Sequence, residues 1–169
     1  MKYLQKTDLN DLDKILALIN AAYRGLGGER RWTTEAHLIQ GDRLNREGLH
    51  ALITSENVQF YVGYLANKPA CCIAIKQYGK TAEFGCFAVD PKLHGLGHGK
   101  ALLNFAEACA RPYSTLFQVT VVSQNTQLLD FYKRRAYVDT GQTQAYPTQQ
   151  NVGKPKIPNI ELRVLQKKV

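Results

Sequence analysis

Residues 87–103 read Phe87-Ala88-Val89-Asp90-Pro91-Lys92-Leu93-His94-Gly95-Leu96-Gly97-His98-Gly99-Lys100-Ala101-Leu102-Leu103: an apolar strand, a glycine-rich turn and the start of a helix. Alternate glycines let successive backbone N–H groups crowd around one point, and the N-terminus of the following helix adds a partial positive charge there. Such a turn suits a phosphate group. Glycines also serve simple tight turns, so the turn by itself leaves anion binding open.

Two familiar phosphate loops fail on spacing. A P-loop needs glycine five residues before its Gly-Lys pair and Ser or Thr after it, but here His94 precedes Gly99-Lys100 and Ala101 follows. A dinucleotide fingerprint counted from Gly95 or Gly97 needs glycine at 100 or 102, where Lys100 and Leu102 stand.

Upstream, Phe60 to Ala66, Pro69 to Gln77 and Thr81 to Val89 are separated by turns at Asn67-Lys68 and Tyr78-Gly79-Lys80, which predicts three antiparallel strands. Downstream, Ala101, Leu102, Leu103, Phe105, Ala106 and Ala108 predict a helix that stops before Pro112. A strand from Thr115 to Ser123, a helix from Asn125 to Arg135 and a strand opening at Tyr137 and Val138 follow. A loop rich in Gln, Thr and Pro, from about 141 to 158, leads to a last strand, Ile160 to Leu165, in which Ile160, Leu162 and Val164 alternate.

Toward the N-terminus, Lys2 to Lys6 suits a short strand. Asp8 or Asn10 can cap a helix whose apolar face is Leu12, Ile15, Leu16, Leu18 and Ile19, and Gly25, Gly27 and Gly28 end it. The stretch from Thr33 or Thr34 to Ile39 looks helical, and residues 43–55 fit either a helix or a strand.

The 169 residues are about the size of one domain with its own core, and no second domain or repeat is visible, so 1–169 is read as a single domain. The start carries no apolar leader and no run is long enough to span a bilayer, which makes a cytoplasmic protein without membrane contact the expectation. Cys71, Cys72, Cys86 and Cys109 have no CxxC spacing and no clustered histidines, so reduced core thiols are expected and no metal site. A net charge of +8 and a pI near 9.4 favour polyanionic partners, among them nucleic acid or a phosphorylated cofactor. The densest basic groups, Lys133-Arg134-Arg135 and Lys167-Lys168, read as solvated faces. No recognised nucleic-acid-binding motif accompanies them.

The segment ending in Val89-Asp90-Pro91 and running through His94-Gly95-Leu96-Gly97-His98-Gly99 resembles the acyl-CoA signature of the GNAT acetyltransferases, a strand with Val-Asp-Pro followed by Arg/Gln-x-x-Gly-x-Gly/Ala. Gly97 and Gly99 match. His94 stands where the family has Arg or Gln, keeping a donor and losing a permanent charge. A second block, Asn125 through Phe131-Tyr132-Lys133-Arg134-Arg135-Ala136-Tyr137, is similar to the family's Asn…Phe-Tyr-x-x-x-Gly-Phe/Tyr pattern, with Ala136 in place of glycine.

The resemblance implies an α/β fold: a GNAT-like mixed, mostly antiparallel six- or seven-stranded sheet flanked by helices and splayed near Val89 for acyl-CoA. It implies acetyl-CoA as cofactor, with the pyrophosphate on amides from Gly95 through Leu96, Gly97, His98 and Gly99 to Lys100. The pantetheine would pair with the main chain of Phe87 to Val89, including Ala88, and Asn125 would contact the cofactor. Tyr132 is then the general acid for the departing thiolate. Glu83 sits on the strand where several family members carry a catalytic glutamate; a structural carboxylate paired with a surface cation explains it equally well. Strict alternation places Glu83 and Gly85 on the face shared with Phe87 and Val89.

Trp32 and Glu35 fall in a region that borders the acceptor pocket in the family, where they could hold a cationic amine; a buried tryptophan and a helix-start carboxylate are equally good readings. The activity implied is acetyl transfer to a primary amine of a small molecule or peptide by direct attack. A non-catalytic acyl-CoA sensor and a basic nucleic-acid-binding module are the alternatives. The acceptor and a homodimer remain open.

Overall fold

The computed structural model describes residues 1–25 and 34–169. In chain order the elements are β1 (Lys2–Gln5), α1 (Leu12–Arg24), β2 (Ile39–Gln40), α2 (Arg46–Thr54), β3 (Val58–Leu65), β4 (Lys68–Tyr78), β5 (Thr81–Val89), α3 (His98–Ala110), β6 (Leu116–Val122), α4 (Thr126–Lys133), β7 (Val138–Ala145), β8 (Lys154–Pro155) and β9 (Glu161–Lys168). Seven strands form one sheet in the order β1-β3-β4-β5-β6-β9-β7, and β2 pairs with β8 in a separate two-stranded ladder. Within the large sheet only β5 and β6 run parallel. The α/β, mostly antiparallel architecture is the one expected.

Turn and cap chemistry explains most boundaries. Ala66 and Asn67 take left-handed backbone (φ 47° and 59°) to close the β3–β4 hairpin, and Gly79 (φ 56°) does so between β4 and β5. The Asn45 side chain accepts from the Gly48 N–H, which settles residues 46–54 as a helix. For α1 the N-cap is Asp11 rather than Asp8 or Asn10; Asp8 is turned to its own loop, accepting from the Asn10 N–H. Gly25, left-handed at φ 66°, ends α1 and donates its N–H to Ala21.

Two stretches differ from expectation. Residues 34–39 make no helix; the Leu38 and Ile39 amides donate to the Glu35 carbonyl in a single turn, and Ile39 enters β2. Tertiary pairing with β8 outweighs the local spacing. Strand β7 runs on to Ala145, well into the stretch read as loop, because an edge strand with most residues exposed needs no apolar alternation.

The sheet separates two cores. Leu12, Ile15 and Ile19 of α1, with Leu49 and Ile53 of α2, pack on Val62, Cys72, Ala74, Cys86 and Ala88. Leu102, Leu103 and Ala106 of α3, with Leu129 and Tyr132 of α4, pack on Cys71, Ile73, Ile75, Ala82, Phe84 and Val119. Each fully buried aliphatic side chain contributes about 1.5–3 kcal/mol. Adjacent Cys71 and Cys72 thus serve opposite cores, as alternation requires, and all four cysteines are unbridged. Among the described residues no helix is long and apolar enough to cross a membrane.

Strand β5 carries the irregularity that matters most. Gly85 pairs with Ala74 and Ala88 with Cys72, so three steps on β5 oppose two on β4, and Cys86 takes up the extra residue at φ 48°. The bulge reverses the alternation. Ala82 and Phe84 before it, and Phe87 and Val89 after it, face α3 and α4, whereas Cys86 and Ala88 face α1. Glu83 and Gly85 are therefore not on the face of Phe87 and Val89. The bulge also bends β5 away from β6. Parallel pairing runs from Thr81↔Leu116 to Phe84↔Val119 and stops, although β5 continues to Val89 and β6 to Val122. The sheet opens at Gly85, four residues before the position expected.

Candidate active site

A cavity of about 420 Å³ fills the fork between β5 and β6. At one end are Gly95, Gly97, His98, Gly99 and Lys100; at the other are Tyr23, Glu35, Arg43, Tyr146 and Val152; Phe87, Val89 and Tyr132 line the wall of the same cavity.

The glycine end is shaped for an anion. Gly97, at φ 82°, caps α3, and the first bond inside that helix joins the Ala101 N–H to the Gly97 carbonyl. The amides of His98, Gly99 and Lys100 consequently have no partner within the helix. A Cβ built on Gly95 or Gly97 would meet nothing within 4 Å, so the space above these amides is open. Leu96 points outward, 66% exposed, leaving only its main chain for the turn. The His94 ring donates from Nε2 to the Val89 carbonyl at 3.1 Å, tying the turn to the end of β5; that nitrogen is committed to the backbone.

Helix α4 supplies the side wall. Asn125 caps it, its Oδ1 accepting from the Leu128 N–H at 3.1 Å, while its Nδ2 is buried without a partner among the described residues. Phe131 lies beside the turn, 3.8 Å from a Cβ built on Gly99. Arg135 stacks on that ring at 3.6 Å and donates to the Phe131 carbonyl, with its Nε left buried and unpartnered among the described residues. Tyr132 is buried, its ring 6.4 Å from that of Phe87; burial first, then the nearby Tyr23, pushes its hydroxyl well above the usual tyrosine range. It therefore stays protonated and able to donate. Ala136 follows at φ 66°, adopting the left-handed turn for which glycine is suited.

The other end is knit from distant segments. Arg24 donates from Nε to the Gly41 carbonyl at 2.8 Å, from one terminal nitrogen to Glu35 Oε2 at 3.3 Å, and from the other to the Val152 carbonyl at 2.8 Å and the Tyr146 hydroxyl at 3.4 Å. Burial raises the Glu35 carboxyl above the usual carboxylate range, with Arg24 and then Arg43 pulling it back. The Arg43 guanidinium lies 5.2 Å from the centre of the Tyr23 ring. Gly153, at φ 92°, allows the chain to pass: a Cβ there would stand 2.7 Å from an Ile39 methyl and 2.8 Å from the Gln40 carbonyl.

A family model for the acetyltransferase (GNAT) domain matches residues 34–146. The chain belongs to the GNAT acetyltransferase family. Among solved structures, this acetyltransferase is similar to smu.2055 of Streptococcus mutans, at 16% identity over 99% of both chains with a TM-score of 0.74. It is similar also to the PaiA N-acetyltransferase of Thermoplasma acidophilum in complex with coenzyme A, at 15% identity over the whole of both chains with a TM-score of 0.70. A GNAT family acetyltransferase of Elizabethkingia anophelis with acetyl-CoA bound matches at 17% identity, over 85% of this chain and 94% of that one, with a TM-score of 0.65. No curated protein matches the sequence. The family uses acetyl-CoA, and the open cradle at Gly97 and the α3 amides without a helix partner fit its diphosphate; Asn125, its Nδ2 buried without a partner among the described residues, lies outside the cavity lining.

Of the residues singled out in the sequence, the cavity brings together Phe87, Val89, His94, Gly95, Gly97, His98, Gly99, Lys100, Tyr132 and Glu35. Ala88 has its side chain in the α1 core and can offer only its main chain. Glu83 is outside the lining: it sits two residues before the fork, accepting from Gln118 Nε2 at 3.1 Å, and Gln118 in turn accepts from Gln166. Trp32 lies outside the described residues. Glu35 does not begin a helix and is already engaged by Arg24. Sequence reasoning missed Tyr23, Arg24, Arg43, Tyr146 and Val152 at the end opposite the glycines. It also took Arg135 for part of a solvated basic group.

Proposed function

We propose that this acetyltransferase is an N-acetyltransferase acting on a small amine by direct attack, with Tyr132 as the general acid and Glu83 as a base acting through water. The observation that carries the reading is the continuity of the cavity: glycine-turn amides at one end, Tyr23, Glu35, Arg43 and Tyr146 at the other, and the Tyr132 ring in the same wall. Acetyl-CoA, when bound, supplies the thioester to be attacked. The amides from Gly95 to Lys100 hold the diphosphate, with Arg135 beside them, and the edge of β5 left unpaired beyond Phe84 receives the pantetheine arm as a strand would. The unshared Asn125 Nδ2–H bonds are available to an acceptor atom on that arm.

Tyr132 is protonated, and its ring in the cavity wall puts a hydroxyl donor beside the position we assign to the departing thiolate. Glu83 and Gly85 share the face toward α1, and a Cβ on Gly85 would meet nothing within 4 Å, so the missing side chain leaves room for water between the Glu83 carboxylate and the cavity. Each transfer contributes typically 10²- to 10⁴-fold. The test is thiol release from acetyl-CoA with a panel of amines, alongside a thermal scan. A rise in melting temperature with acetyl-CoA and amine-dependent release supports the reading; release that no amine accelerates overturns it in favour of an acyl-CoA-binding domain.

A further inference from the structure

Among the described residues, the charges at the end of the cavity opposite the glycines do not balance. Arg24 and Glu35 face each other, both buried, and every side-chain nitrogen of Arg24 is spent on Gly41, Glu35, Val152 or Tyr146. Arg43 is a second cation on the same wall. Among the described residues its guanidinium has the Tyr23 ring against one face and no carboxylate, carbonyl or hydroxyl on its N–H groups. Its position is nevertheless fixed. The buried Asn20 side chain accepts from the Arg43 and Leu44 amides at 2.8 and 3.2 Å and donates to the Leu44 carbonyl at 3.0 Å, which clamps the backbone from which Arg43 projects.

Arg43 is half-buried; a guanidinium keeps its charge in such a place, and its planar fork matches a carboxylate with two parallel bonds. With Glu35 ionised the cluster of Arg24, Glu35 and Arg43 carries one net positive charge, and with Glu35 protonated it carries two. Such a pocket repels a second ammonium, the opposite of the cationic-amine site expected for Glu35. It also favours the neutral form of the attacking amine. Tyr23, Arg43 and Tyr132 line the same cavity of about 420 Å³, so an anion on Arg43 and an amine near Tyr132 belong to one small molecule.

We infer that Arg43 binds the carboxylate of the acceptor, and that the acceptor is an amino acid or a closely related amino-carboxylate. This rests on the N-acetyltransferase reading above. The experiment measures kcat/KM by thiol release for the common amino acids, each beside its decarboxylated amine and its carboxamide, with the parent, Arg43→Gln and Arg43→Lys. At least one amino acid should exceed both partners by tenfold or more. Arg43→Gln should cost that substrate tenfold or more, mainly in KM, and shrink its advantage over the decarboxylated amine, while leaving the acetyl-CoA-induced rise in melting temperature near the parental value. Arg43→Lys should fall between, keeping the charge and losing the fork. Rates for the amines equal to or above those of the amino acids overturn the inference. So does an unchanged preference in a folded Arg43→Gln protein, or no turnover of any amino acid while acetyl-CoA still stabilises the fold. If Arg43→Gln does not fold, the parent's ratios and Arg43→Lys decide. No stabilisation by acetyl-CoA and no thiol release with any amine would instead sink the N-acetyltransferase reading itself.

Discussion

Replacing Gly97 by alanine separates what the ligand needs from what the fold needs. Gly97 and Gly141 both have left-handed backbone (φ 82° and 77°), and a Cβ at either would meet nothing within 4 Å. Each alanine costs about 1–2 kcal/mol for a left-handed non-glycine residue, offset by about 0.4–1 kcal/mol from the stiffer unfolded chain. The net loss is thus roughly 0–1.5 kcal/mol for both, or under about 6 °C in melting temperature for a chain of this size. Only Gly97 stands at the α3 amides. If the new methyl displaces the diphosphate from two of them, at about 1.5–3 kcal/mol for each hydrogen bond to a charged group, affinity falls by at least about 100-fold. At one hundred times the parent's Kd, acetyl-CoA stabilises the parent by about 2.7 kcal/mol, or roughly 5–11 °C. Gly97→Ala should then gain only about 0.4 kcal/mol, and Gly141→Ala the full amount. Thermal scans of the three proteins with and without acetyl-CoA read this directly. A Gly97→Ala protein that keeps the parental rise refutes the assignment of the diphosphate to this turn.

Tyr132→Phe keeps the ring and removes the hydroxyl, so kcat should fall by about 10² with acetyl-CoA affinity unchanged; a kcat within about threefold of the parent would remove the general-acid role. Glu83→Gln should lower kcat at pH 7 and move the acidic limb of the rate profile, whereas a rate within about twofold would make the Glu83–Gln118–Gln166 chain purely structural. Ala136→Gly should stabilise by roughly 0–1.5 kcal/mol, the relief of about 1–2 kcal/mol of left-handed strain less about 0.4–1 kcal/mol of added chain entropy. Urea melts giving a lower midpoint would show that the strain reasoning at φ 66° fails.

What could be read from the sequence was what the chain places close together. The donor end is built almost entirely from residues 87–100 and 125–135, where turn glycines, a helix start and an apolar strand follow one another, so local rules suffice. The bulge at Cys86 had one signal, the isolated Gly85 beside it in the strand, but the left-handed backbone falls on Cys86 and not on the glycine. Missing it placed Glu83 on the wrong face, since one added residue inverts every side chain beyond it. Strand β7 escaped for a different reason: exposed at the edge of the sheet, its Gln and Thr residues carry no period to detect.

The end opposite the glycines could not be read because no local pattern encodes it. Arg24 sits in the last turn of α1, where a basic residue is already explained by the helix dipole, and nothing in its neighbourhood points to Val152 or Tyr146. Its bonds reach four places, Glu35, Gly41, Tyr146 and Val152, and the β2–β8 ladder holds two of the same segments together. The unpaired Arg43 becomes meaningful only against that background. A lone arginine in the sequence is one of many solvated cations. Beside a buried ion pair that engages Arg24 and Glu35, the same residue is, among the described residues of that wall, a cation whose N–H groups are left for a ligand's charge. The glycine end of the cavity is thus built from contiguous backbone, and the opposite end from side chains brought together by long-range packing.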